Sequence, residues 1–190
     1  MAAHVHRRRI RRALGLAATG TVLILPAACS DHSHIRLSAS ARAAVTARAN
    51  ALIEPAAAAE LQPTPDAPGA CATEIFGIDP SSATQASQVR TVYAWSDCAS
   101  VACHRATADG LFPVVVHLDG RPSVRIPSDH DYGGQLRELF PGSLVDLAAS
   151  APGDVATLDR RLAARIAAVP SPGSTAGCRV TGGVPILAGD

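Results

Sequence analysis

Three histidines and four aspartates in the middle of the chain are the residues best suited to chemistry: His104, His117 and His130, with Asp97, Asp119, Asp129 and Asp131. His117 and Asp119 alternate, so in a strand both would face one side. Asp129-His130-Asp131 falls where a strand gives way to a helix. Together these side chains have the chemistry of a histidine–carboxylate metal site or of an acid–base pair. Structural roles compete for the same residues. Asp131 is placed to cap a helix, and Asp119-Gly120 is a turn dipeptide. His117, Asp119, His130 and Asp129 are therefore kept as weak catalytic candidates. Other chemistries lack their motifs. Gly173-Ser174-Thr175-Ala176-Gly177 does not fit a nucleophile elbow, because Ser174 directly follows its glycine. There is no phosphate-binding glycine loop and no His-Glu-x-x-His. Asp129-x-Asp131-x-Gly133 lacks the later acids of a calcium loop. No cofactor is expected.

The five cysteines carry more information. Residues 1–12 hold five arginines, and Ala13–Leu25 is an uncharged, mostly apolar run. That is the layout of a secretory signal; the uncharged run extends from Ala13 to Ser30, close to the roughly 20 apolar residues of a membrane span, so a retained signal anchor is the alternative. Leu25-Pro26-Ala27-Ala28-Cys29-Ser30 resembles a bacterial lipoprotein signal, with Pro26 where that pattern usually has leucine or another apolar residue. The resemblance implies cleavage before Cys29, lipidation of its thiol, and residence on the outer face of the cell membrane, or secretion if the anchor is absent. Setting Cys29 aside leaves Cys71, Cys98, Cys103 and Cys178, an even set that reads as disulfides in an exported protein. The Ala-Ser-Val-Ala spacer between Cys98 and Cys103 suggests a hairpin turn, so these two are expected to pair, leaving Cys71 for Cys178. Cys-x4-Cys with distant partners is poor zinc spacing, and no metal is expected.

The elements that would position these residues follow from periodicity. The expected domain plan is a signal at 1–28, a tether at 29–36, a helix and Pro-rich linker at 37–69, an α+β domain at 70–178 and a tail at 179–190. In the tether, His32 and His34 read as part of a solvated spacer. Leu37 to Leu61 has a helical stripe through Val45, Ala49, Leu52 and Ile53, with Pro55 expected to end it or to start a second short helix. Cys71–Asp79 reads as a strand. So does the stretch from Val89, where Val89, Thr91, Tyr93 and Trp95 share a face. Gly110–Leu118 and Ser123–Ile126 are the next two strands. Asp131 and Asp154 are each expected to cap a helix, the second carrying Val155, Leu158, Leu162 and Ile166. The order suggests an antiparallel sheet of about four strands with helices packed on one face. A cystatin-like or NTF2-like arrangement would satisfy it by analogy.

Tyr93-Ala94-Trp95 before Cys98, Pro113-Val-Val-Val-His117, Val124-Arg-Ile-Pro127 and Tyr132 leading to Leu139-Phe140-Pro141 resemble uncharacterised exported proteins and lipoproteins of actinobacteria. The likeness covers about residues 71–141 and implies a place of work without an activity. Charge agrees with that place. All 17 basic residues are arginine, and from Cys29 onward 12 arginines stand against 16 acids, a net charge of −4. A mildly acidic body without a basic stripe excludes nucleic acid as a partner. The expected function is a lipid-anchored binding or interaction module of the cell envelope, its partner the membrane through Cys29 together with an envelope protein or a small apolar ligand. The alternative is a small secreted hydrolase or metal-dependent enzyme using His117, His130 and the nearby aspartates.

Overall fold

The computed structural model describes residues 35–61 and 67–170. Four strands within them make one antiparallel sheet: β1 Gly69–Asp79, β2 Thr91–Ala102, β3 Arg105–His117 and β4 Ser123–Arg125. Each pairs with its sequence neighbour, giving a meander with β1 and β4 at the edges. The helices are α1 Ala39–Leu61, α2 Tyr132–Leu139, α3 Val145–Ala149 and α4 Val155–Ala168. The class is α+β with a four-stranded antiparallel sheet, as the pattern of elements indicates.

The helices do not all lie on one face, and this corrects the expected layering. Val92, Ala94 and Cys98 of β2 pack with Val114 and Val116 of β3 under Val45, Ala49, Ile53 and Ala57 of α1. The alternate residues point the opposite way. Ala99 and Val101 meet Leu158, Leu162 and Ile166 of α4. Val115 meets Leu136, Phe140 and Ala148 from α2, its C-terminal cap and α3. The sheet is thus a middle layer, which is why β2 is buried along almost its whole length. A strand covered on both faces loses the alternation of apolar and polar residues that marks a half-exposed one.

Pro55 does not end α1; the helix runs through it. A proline inside a helix removes one backbone hydrogen bond and crowds the preceding turn. Burial on both sides offsets this, since Ile53 is 0 % and Ala57 1 % exposed. At the start of β1, Gly69 passes so close to α1 that a Cβ would collide with the Glu54 carbonyl. Only glycine allows the strand to lie there.

The disulfide pairing also differs from expectation. Cys71 is the register partner of Cys98, their Cα atoms are 4.1 Å apart, and they are bonded. β2 continues past Cys98 to Ala102, so no turn falls where the spacer suggested one. The turn is Cys103-His104 itself, with φ of 54° and 57°, closed by the Ala102–Arg105 pair. Two central residues with positive φ are the signature of a tight type I′ hairpin, usually built with Asn-Gly. Five strand steps put roughly 16 Å between Cys98 and Cys103, far beyond disulfide reach. Cys71–Cys98 therefore replaces both expected pairs. Cys103 is itself disulfide-bonded, and Cys178 lies outside the described residues. Asp131 and Asp154 cap α2 and α4 as expected, accepting from the Gly134 and Thr157 amides at 3.3 and 2.9 Å.

Candidate functional site: a cleft around the edge of β1

A bulge in β1 shapes a cleft at the edge of the sheet. The β1–β2 register skips a residue between Ile75 and Gly77, leaving Phe76 without a cross-strand partner. Bulges bend a strand and re-aim its side chains. Phe76 turns toward α2 and stacks on Phe140, ring centroids 6.0 Å apart. Tyr93 lies against the same ring at 5.9 Å. At Gly77, a Cβ would sit 2.5 Å from Leu144 Cδ1, so the bare glycine lets Leu144 close onto the strand.

Around this bulge lies a cleft of about 710 Å³. Ile35 and Ile78 enter it from the α1 side of the sheet. Phe76 and Tyr93 enter from the α2–α3 side, joined by Leu144 and Leu147. Asp79, Ser81 and Ser143 are exposed at its rim. The Tyr93 hydroxyl is held above its ordinary pKa, first by burial and then by the negative charge of Asp79. It stays a neutral phenol, able to donate or accept. Trp95, behind the cleft, donates from Nε1 to the Leu147 carbonyl at 3.1 Å and ties α3 to β2. The arrangement offers apolar walls, one carboxylate and three hydroxyls, which suits binding.

A second groove of about 610 Å³ runs between α1 and α4 over Thr73, Glu74 and Ile75. Arg42, Arg161 and Arg165 line it together with Asp154 and Glu74, so its charge is mixed. Arg165 pairs with Glu54, joining α4 to α1 across the edge of β1, and Glu54 also accepts the Cys71 amide at 3.3 Å. Beneath it, Asn50, Thr73 and Ser96 form a buried hydrogen-bonded set.

The histidine–aspartate candidates are placed differently. The His117 ring lies on β3 opposite Thr91, with Nδ1 3.2 Å from the Thr91 hydroxyl. Asp119 is exposed in the turn after β3, and His104 is exposed in the β2–β3 turn. Asp129 and His130 are exposed before α2, where the His130 carbonyl accepts from Gln135 at 2.9 Å. No hydrogen bond joins the side chains of His117, Asp119, Asp129 and His130 to one another. Among the described residues, no three His, Cys, Asp or Glu side chains are grouped to hold a metal ion. Asp97 is buried in β2. Cys29 lies outside the described residues. Of these, no helix is long and apolar enough to cross a membrane.

The cleft was missed from sequence because Leu144 and Leu147 fall in a single 3-10 turn and the five-residue α3, too short to show a periodicity. One signal was present: a glycine inside a strand pattern marks a bulge, and Gly77 is such a glycine. The chain matches no family model, no curated protein and no solved structure.

Proposed function

We propose that this chain is an exported, lipid-anchored binding module of the cell envelope, and that the cleft around β1 is where it takes its ligand. The observation that carries the reading is an apolar hollow of about 710 Å³ with Asp79, Ser81 and Ser143 at its rim. Its size and its mix of many apolar and few polar groups are those of small-molecule sites. The half-buried Phe76, Tyr93, Leu144 and Leu147 leave apolar surface facing solvent, which a ligand would cover. Export and anchoring are supported by the basic start, the apolar run and Cys29. The buried Cys71–Cys98 bond fits an oxidising compartment.

Two measurements test the two halves of the proposal. Mass spectrometry of membrane-extracted protein should find a diacylated N-terminal Cys29 peptide; a peptide that begins upstream of Cys29 defeats the anchor. A neutral, environment-sensitive dye such as N-phenyl-1-naphthylamine should bind with one site per chain. Ser143→Trp, which fills the rim, should abolish that binding, and a dye that ignores this substitution defeats the cleft.

A further inference from the structure

We infer that the ligand is a single-chain amphiphile with an uncharged, hydroxyl-bearing head, taken up from the membrane beside which the protein is tethered. This rests on the cleft being the binding site, and adds the class of ligand and its source.

The walls call for a flexible apolar chain. Ile35 and Ile78 from one face of the sheet and Phe76, Tyr93, Leu144 and Leu147 from the other side together line the cleft at the edge of β1. A flexible acyl chain can lie against walls that come from both faces of the sheet and cover apolar surface on each.

The rim selects the head. Among the described residues, Asp79 is the only charged one lining the cleft, and no arginine or histidine lines it. A carboxylate or phosphate head would meet the negative charge of Asp79, and like-charge juxtaposition is costly. A hydroxyl donates to Asp79 at no such cost, and Ser81 and Ser143 supply further donors and acceptors. The phenol of Tyr93, kept protonated by burial and by Asp79, adds another.

The tether supplies the source. Ile35 lines the cleft and stands six residues after Cys29. Six extended residues span at most about 20–22 Å. A chain anchored at Cys29 therefore keeps the mouth of this cleft close to the headgroup layer, where single-chain amphiphiles reside. A longer tether would leave the cleft free to face away.

The test uses the exported chain carrying Cys29→Ser, which removes the anchor. Monopalmitoylglycerol and palmitate are titrated separately, each below its aggregation threshold. Trp95 is the only tryptophan of the chain and is bonded to the cleft residue Leu147, so its emission reports occupancy. Native mass spectrometry counts bound molecules. One monopalmitoylglycerol should bind per chain, with palmitate weaker by roughly tenfold or more, as expected for a like-charge contact. Asp79→Asn should remove most of that difference, and Ser143→Trp should abolish binding of both. Palmitate binding as tightly as the glyceride overturns the head-group inference while the cleft remains a ligand site. If neither amphiphile binds but the neutral dye does, the amphiphile inference falls and the cleft reading stands. If the dye also fails to bind, both fall.

Discussion

On the α1 side of the sheet, Val45, Ala49, Ile53 and Ala57 are at most 1 % exposed and join the strands in one cluster. On the opposite side the apolar residues divide into two smaller clusters, one under α4 and one under α2 and α3. The strands are the same; only alternate residues differ. What separates the faces is the number of helices. A single helix of 23 residues lays a continuous stripe on one face. Helices of 8, 5 and 14 residues, with turns between them, cover the other and leave gaps. The disulfide and the Asn50–Thr73–Ser96 hydrogen bonds both belong to the α1 face, and Tyr93 to the other. The α1 face therefore carries the continuous packing, and the cleft opens where the divided face meets the edge of β1.

That division is tested most severely by truncating one residue from each face. Ile53, fully buried, should cost roughly 2–5 kcal/mol as Ile53→Ala, because the surrounding strands cannot collapse into the space. Leu144, half-buried at the cleft, should cost about 1 kcal/mol as Leu144→Ala, since much of it already faces solvent. Urea unfolding midpoints measure both. Equal losses would mean the faces share the load. The next effect is the disulfide. Cys71 and Cys98 close a loop of 27 residues in sequence separation, for which the chain-entropy relation gives about 3.5 kcal/mol. The double change Cys71→Ala and Cys98→Ala should lower stability by about that amount. Non-reducing peptide mapping should join Cys71 to Cys98. A peptide joining Cys98 to Cys103 would contradict the strand register itself.

A smaller loss is expected from the polar set on the α1 face. Asn50 accepts from the Thr73 hydroxyl at 2.6 Å and donates to the Cys71 carbonyl at 3.4 Å, and Thr73 reaches Ser96 at 2.9 Å. Asn50→Ala removes the partner of two buried groups and should cost roughly 1–3 kcal/mol. Adding Thr73→Val should cost less than Thr73→Val costs alone, because the Asn50–Thr73 bond is already gone. Strictly additive losses would show that the three side chains do not act as a unit.

Much of the fold was legible in the residues. β1, β2, β3, β4, the stripe of α1 and the caps at Asp131 and Asp154 all follow from periodicity and turn chemistry. The layering was not, because β2 carries small and apolar residues on both faces and so hides which side a helix covers. The disulfide was not legible either. Its partners are brought together by register between two strands, and register is a property of the pair rather than of either segment. Pro55 misled because local propensity gave way to the burial of Ile53 and Ala57. The cleft was least visible of all. Its walls come from four separate stretches, and only Gly77 left a trace in the sequence. The histidines and aspartates, conspicuous by type, lie in turns and on β2 and β3 without grouping to hold a metal ion, and nothing in the chain order could say whether they would meet.

The least disruptive test of the open face is an alkaline titration. Both tyrosines of the chain have raised pKa values, caused first by burial and next by Asp79 at Tyr93 and by Asp129 at Tyr132. A phenol whose folded pKa lies above its unfolded value holds its proton more tightly when folded. Its contribution to stability is complete below the unfolded pKa near 10 and is lost as pH rises through the folded pKa. Phenolate absorbance should therefore develop above the ordinary range, and the unfolding midpoint should fall as it does. Asp79→Asn should bring the Tyr93 step down while leaving Tyr132 where it was. Glu74→Gln, on the same strand but outside the cleft, should move neither. An unchanged Tyr93 step in Asp79→Asn would mean that the carboxylate does not act on the cleft, and the selection of an uncharged head would lose its physical basis.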